Sequence, residues 1–182
     1  LQLSKDERTK MFTKAEKIKL IVLDVDGTMT DGTIYLDNNG IETKGFNVKD
    51  GFAIANAIKE GINVAIITGR KSRLVEKRAE ELGIQYVFQG IHNKVIKLNE
   101  LLNELGLSYE ETAYIGDDIN DLSAIKVVGF TASPKDGVPE VLERVDFVTN
   151  AFGGKGAVRE FLEFILKSQK KWDNIISRYE GN

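Results

Sequence analysis

Six short apolar runs recur along the chain with helical patterns between most of them, and this alternation narrows the possible folds more than any other feature. The runs are 18–24 (IKLIVLD), 63–68 (NVAIIT), 85–88 (QYVF), 112–116 (TAYIG), 127–131 (VVGFT) and 146–149 (DFVT). They are apolar almost without a break and rich in β-branched residues, the pattern of strands buried on both faces. Helical patterns occupy 50–60, 71–82, 93–105 and 118–126, with a short one near 138–143 and a last one running from the turn GGKG (153–156) to about 172. Asp50 is the expected cap of the first, and Gly61, Gly83 and Gly106 end the first three. Ser108–Glu111 has the capping-box form for a single helical turn. Strands and helices in this order predict an α/β fold: a three-layer, Rossmann-like parallel sheet with helices on both faces.

Residues 33–44 interrupt the alternation. Two short runs around Asn38-Asn39-Gly40 predict a β-hairpin after the first strand. Residues 4–17 are polar and charged, as expected for a short helix or a loose arm. With 182 residues, only two prolines, no repeat and no linker, a single domain over 1–182 is expected, with a C-terminal tail from about 168.

The balance of charge, −3 from 25 basic and 28 acidic side chains, offers no footprint for nucleic acid or an anionic membrane. No apolar stretch reaches the length of a membrane span. The first twenty residues lack the apolar core and cleavage pattern of a signal peptide, and the sequence opens on Leu1 rather than Met, consistent with a missing native N-terminus. Without cysteine there is no disulfide, thiolate zinc site or thiol nucleophile, which fits a reducing compartment. With His92 as the only histidine, a Ser-His-Asp mechanism or a multi-histidine metal site is disfavoured; His92 is expected at a helix start or on the surface.

In a parallel sheet, ligands bind beyond the carboxyl ends of the strands. Those ends carry Asp24-Val25-Asp26, then Thr68-Gly69-Arg70, then Lys94 at a helix start, then Gly116-Asp117-Asp118 with Asp121 one turn on. The spacing of two places both Asp24 and Asp26 on one side of a strand. Several carboxylates gathered in low dielectric repel one another, and a hard divalent cation relieves them. A donor set of oxygens alone suits Mg²⁺, which takes carboxylates, waters and a substrate phosphate. Thr68 and Lys94 are placed to hold phosphoryl oxygens. One aspartate could serve as nucleophile through an aspartyl-phosphate, and another as proton donor and then base. Taken singly, DVDGT could be a capped turn and TGR a plain loop; in this order, each after a strand, they point to phosphoryl transfer.

At these residues the chain resembles the haloacid dehalogenase superfamily of phosphatases: DVDGT, TGR, Lys94 and GDDIND look like its four motifs, over about residues 18–165. The resemblance implies that Asp24 is the nucleophile and Asp26 the general acid and base, with Thr68 and Lys94 on the phosphate. It implies Mg²⁺ held by the Asp24 side chain, the Asp26 backbone carbonyl and Asp117, with Asp118 and Asp121 as supporting or alternate ligands.

The intervals from Asp24 to Thr68 and from Lys94 to Asp117 leave no room for a cap domain. DVDGTMTDGTIYLDNNGIETKGFNVKDGFAI, ITGRKS, GDDINDL and GGKGAVREF resemble the capless 3-deoxy-D-manno-octulosonate 8-phosphate phosphatases. That likeness implies a phosphosugar substrate, a role in lipopolysaccharide synthesis, a cytoplasmic location and a homotetramer. A short hairpin is marginally stable alone and a capless site is open to water, so the hairpin is expected to pair with other copies and a neighbour to help cover each site. The likeness also implies that Arg70, Gly69, Lys49 and Asp50 line the sugar site, with Arg70 facing the sugar carboxylate. The alternatives are a phosphatase of a nine-carbon sialic-acid-type phosphate and a non-catalytic assembly module. Loss of Asp24 or Asp26 would mark the module, and both are present. A signalling receiver domain is disfavoured because Asp26 supplies the acid that turnover needs.

Overall fold

The structure, a computed structural model, describes residues 5–181, so residues 1–4 and 182 of the expected arm and tail lie outside the described residues. The strands β1 (Leu20–Leu23), β4 (Asn63–Ile67), β5 (Tyr86–Phe88), β6 (Thr112–Ile115), β7 (Phe130–Ser133) and β8 (Phe147–Val148) form one sheet in the order β5-β4-β1-β6-β7-β8. Every pairing in it is parallel, with Leu20 to Leu23 opposite Asn63 to Ile66 on one side and Thr112 to Ile115 on the other. The expected α/β fold is therefore observed. β1 is central, and the chain passes to its two sides in turn. This order reversal opens a crevice at the carboxyl ends of β1, β4 and β6.

Alternate residues of β1 enter different cores, as a strand's period of two requires. Ile21 and Leu23 pack with α1 (Lys5–Glu16), α2 (Val48–Lys59), α3 (Arg73–Leu82), α7 (Ala157–Ser168) and α8 (Trp172–Glu180). Leu20 and Val22 pack with α4 (Lys94–Leu105), α5 (Leu122–Ile125) and α6 (Pro139–Leu142). Among the described residues no separate cap domain is present; the segment between β1 and α2 holds only β2 (Tyr35–Leu36) and β3 (Glu42–Thr43), paired antiparallel as a two-stranded hairpin. Asp37 shapes its turn by accepting hydrogen bonds from the backbones of Asn39 and Ile41, at 2.9 and 2.8 Å.

Four local expectations are corrected. Asn47, not Asp50, caps α2, its side chain accepting from the Lys49 and Asp50 amides. The strand expected at 127–131 runs from Phe130 to Ser133, since Val127 and Val128 still bond back to Ala124. The helix expected at 118–126 begins as a 3₁₀ turn, Ile119–Asp121. The last helix, expected to run to about 172, stops at Ser168 as α7; Lys170 takes a left-handed φ of 58°, and a further helix, α8, forms from Trp172 in the expected tail. α8 folds back onto its own chain, where the Tyr179 ring lies 5.0 Å from Phe52 and Arg178 pairs with Glu60 at 2.5 Å.

Candidate active site

Asp24 follows the last residue of β1, and its amide donates to Ile115 O on β6 at 3.1 Å, so the central pairing continues one residue into the site. The chain then turns sharply. Gly27 has φ +92°, and a Cβ there would stand 2.0 Å from Asp117 Oδ2, so this position requires glycine both for its backbone and for its close approach. Thr28 Oγ1 donates to Asp117 Oδ1 at 3.1 Å, joining the end of β1 to the end of β6.

Lys94 is the first residue of α4, yet its side chain is 1% exposed. Its Nζ lies 2.6 Å from Asp24 Oδ1 and 2.6 Å from Asp121 Oδ1. Asp121 is fully buried, and both of its oxygens are occupied. Oδ1 also accepts from Tyr114 OH at 2.6 Å, and Oδ2 accepts from the amides of Asp117 and Asp118 at 3.0 and 3.2 Å. Ligand oxygens of Asp24, Asp117 and Asp121 all lie within 4.8 Å of one another.

Three carboxylates here face a single ammonium. Burial pushes the Asp24 carboxyl well above its usual range, and Asp121 and Asp117 push the same way against the pull of Lys94. Burial and then Asp121 raise Asp117 to about 6. Burial pulls Lys94 down, but Asp24 and Asp121 outweigh it and leave the ammonium above its usual range. The cluster thus keeps its lysine charged and carries an excess of negative charge that suits a divalent cation. Asp121 is saturated by four donors, so Asp24 and Asp117 are the carboxylates left to bind an ion directly. An oxygen-only set of this kind fits Mg²⁺.

The other expected residues fall into separate groups. Thr68 is buried just past β4, held by its amide to Phe88 O and its carbonyl to the Ile91 amide, both at 3.0 Å. Asp26 Oδ1 pairs with Lys44 Nζ and lies 3.7 Å from Arg70 Nη1. β1 has ended at Leu23, so both aspartates stand on the loop beyond it. Asp118 is exposed and caps the 3₁₀ turn by accepting from the Ile119 amide at 2.7 Å. Gly69 is half-buried and Arg70 exposed at the mouth, and His92 is exposed.

Lys49 and Asp50 join neither group. Asp50 is buried and accepts from the Arg159 amide at 2.8 Å, capping α7, while Lys49 lines a surface cavity with Lys155 and Arg159.

Sequence reasoning missed Glu42 and Lys44, which tie the hairpin to Asp26 and Arg70. Strand periodicity could not have found them, since β3 ends at Thr43 and Lys44 lies beyond it. Sequence reasoning also read GGKG only as the turn that opens the last helix. A Cβ on Gly153 would stand 1.8 Å from Gly27 O, and the Gly154 amide donates to Thr28 O at 3.0 Å, so this turn braces the loop after β1.

The description "haloacid dehalogenase-like hydrolase" matches residues 47–129. The chain is 47% identical over 165 residues to the 3-deoxy-D-manno-octulosonate 8-phosphate phosphatase of Salmonella typhi, covering 91% of this chain and 88% of that one. This chain belongs to that phosphatase family. The crystal structure of the Yersinia pestis phosphatase superposes with a TM-score of 0.89 at 43% identity, covering 90% of this chain and 89% of that one. The Moraxella catarrhalis phosphatase gives a TM-score of 0.92 at 42% identity, covering 94% of this chain and 98% of that one, and was solved with a magnesium ion, a phosphate ion and a KDO molecule. The family likeness read from four short motifs thus extends over about nine-tenths of the chain.

Proposed function

We propose that this protein is a Mg²⁺-dependent phosphatase that hydrolyses 3-deoxy-D-manno-octulosonate 8-phosphate to the free sugar acid and phosphate. The observation that carries the reading is the convergence of Asp24, Asp117, Asp121 and Lys94 at the carboxyl ends of the central strands. The name of the Salmonella typhi relative supports this substrate, and the contents of the Moraxella catarrhalis structure support both the metal and the product.

In this reading an Asp24 oxygen attacks phosphorus, the bond to the sugar oxygen breaks, and Asp26 gives that oxygen its proton. Asp26 then takes a proton from water, the water oxygen attacks the phosphorus of the aspartyl-phosphate, and Asp24 is released with inorganic phosphate. Lys94 and Thr68 hold the transferring oxygens. Asp24 and Asp117, with the Asp26 backbone carbonyl, would hold Mg²⁺, which supplies neutralisation of the phosphoryl charge. Asp121 keeps Lys94, Asp117 and Asp118 in position, and Arg70 and Gly69 line the sugar site. Asp50 is left out of it because it caps α7, and Lys49 because it lines a separate surface cavity.

The reading extends to a cytoplasmic homotetramer. Among the described residues no helix is long and apolar enough to cross a membrane. The hairpin exposes Ile34, Tyr35, Leu36 and Ile41, at 48 to 63%. An isolated hairpin with two-residue strands is unstable in water, so packing against other copies supports its fold.

A phosphate-release screen with Mg²⁺ over eight- and nine-carbon acidic sugar phosphates and neutral sugar phosphates tests the assignment. The eight-carbon acid should show the highest kcat/KM. Preference for a nine-carbon acid would move the substrate, and no turnover of any would defeat the reading.

A further inference from the structure

Beside the metal cluster, four charged side chains close a ring in which the signs alternate. Lys44, the residue after β3, has a side chain only 3% exposed; it pairs with Asp26 Oδ1 and lies 3.3 Å from Glu42 Oε1. Arg70 completes the ring, with Nη2 2.7 Å from Glu42 Oε1 and Nη1 3.7 Å from Asp26 Oδ1. Glu42 Oε1 is buried, yet no hydrogen bond of good geometry reaches it, so charge rather than direction holds it to Arg70. Burial pushes the Glu42 carboxyl up, but Lys44, Ser72 and Arg70 outweigh it and leave it below its usual range. Glu42 is therefore a carboxylate at neutral pH.

We propose that Glu42 is a specificity-determining residue: in the free enzyme it occupies Arg70 in place of the substrate's own carboxylate, and an acidic phosphosugar binds by exchanging with it. The proposal rests on the reading of Arg70 as the partner of the sugar carboxylate. The geometry favours exchange over addition. Glu42 Oε1 already stands 2.7 Å from Arg70 Nη2, so an entering carboxylate meets that side of the guanidinium occupied. The hydrogen bonding favours it too. A free carboxylate can meet the planar guanidinium with two directed bonds, which Glu42 does not make. A phosphate ester without a carboxylate cannot drive this exchange.

The test compares KM for the eight-carbon acidic sugar phosphate and for p-nitrophenyl phosphate in the wild type, Glu42→Gln and Arg70→Gln. Glu42→Gln should lower KM for the acidic substrate about two- to fivefold, the scale of a partly exposed ion pair, and leave KM for p-nitrophenyl phosphate unchanged. Arg70→Gln should raise KM for the acidic substrate alone. If Arg70→Gln is selective while Glu42→Gln leaves or raises the acidic KM, the exchange is overturned and the carboxylate site survives. If Arg70→Gln treats both substrates alike, the carboxylate reading fails and takes the exchange with it. Glu42→Asp, which keeps the charge but draws it back from Arg70, should move KM in the same direction as Glu42→Gln; an opposite shift overturns the proposal.

Discussion

Replacing Lys94 with methionine isolates the electrostatics of the site from its packing. Methionine fills most of the volume of the lysine stem, so the change is chiefly the loss of one buried charge. That charge lies 2.6 Å from each of two carboxylates whose side chains are 6% and 0% exposed. Removing one partner from a buried ion pair costs roughly 3–5 kcal/mol, because the remaining charge is left without compensation. For a chain of this length each kcal/mol moves Tm by about 2–4 °C, so metal-free Lys94→Met should melt roughly 6–20 °C below the wild type at pH 8. The dependence on pH has a definite sign. Asp24 already titrates well above its unfolded value in the folded chain, and without Lys94 it rises further. Between those two pKa values the folded state binds more protons than the unfolded state, so its stability rises as pH falls. The deficit should therefore shrink toward pH 5.5, and saturating Mg²⁺ should restore part of it by binding the folded state alone. Thermal unfolding followed by circular dichroism in EDTA at both pH values, then with Mg²⁺, measures all three. A loss under about 2 °C at pH 8, or one equal at both pH values, would refute the reasoning.

Gly27→Ala adds a Cβ 2.0 Å from Asp117 Oδ2 at φ +92°, so it should cost roughly 1–3 kcal/mol in stability and weaken Mg²⁺ affinity roughly tenfold or more, as read by calorimetric titration. Burial raises Asp50 to about 6, so the folded state binds the extra proton between about pH 4 and pH 6 and wild-type stability falls as pH rises through that window. Asp50→Asn keeps an acceptor for the Arg159 amide without a buried charge; it should be more stable than the wild type at pH 8, by up to about 3 kcal/mol, and match it near pH 4 in urea unfolding. Replacing exposed Leu36 with glutamate should dissociate the proposed tetramer in light scattering; a variant that stays tetrameric would remove the hairpin from the interface.

The layers of the fold were legible because the runs that became the parallel sheet are largely apolar and α2, α3 and α4 each stop at a glycine, Gly61, Gly83 and Gly106. The Asp24, Lys94 and Asp117 cluster was legible for a related reason: all three stand where an element begins or ends at one edge of the sheet. Less legible was whatever depended on side-chain direction after an element had stopped. The partner of Asp26 is one such case: its carboxylate, on the loop beyond β1, pairs with Lys44, 18 residues on, a contact that no local pattern encodes. Asp50 looked like a cap for its own helix because an aspartate near a helix start commonly is one. Asn47 takes that place and frees Asp50 to cap α7, a contact 109 residues away in sequence that no local pattern encodes. The division between α7 and α8 depends on Lys170 adopting a left-handed backbone, which a lysine in a helical pattern does not announce.

The central claim is that Asp24 attacks a phosphoester held by Mg²⁺ at the acidic cluster. Phosphate release from 3-deoxy-D-manno-octulosonate 8-phosphate, measured for the wild type and a folded Asp24→Asn variant with Mg²⁺ and again in EDTA, tests it directly. The account predicts turnover only for the wild type with Mg²⁺. Comparable turnover by Asp24→Asn, or by the wild type in EDTA, would contradict it.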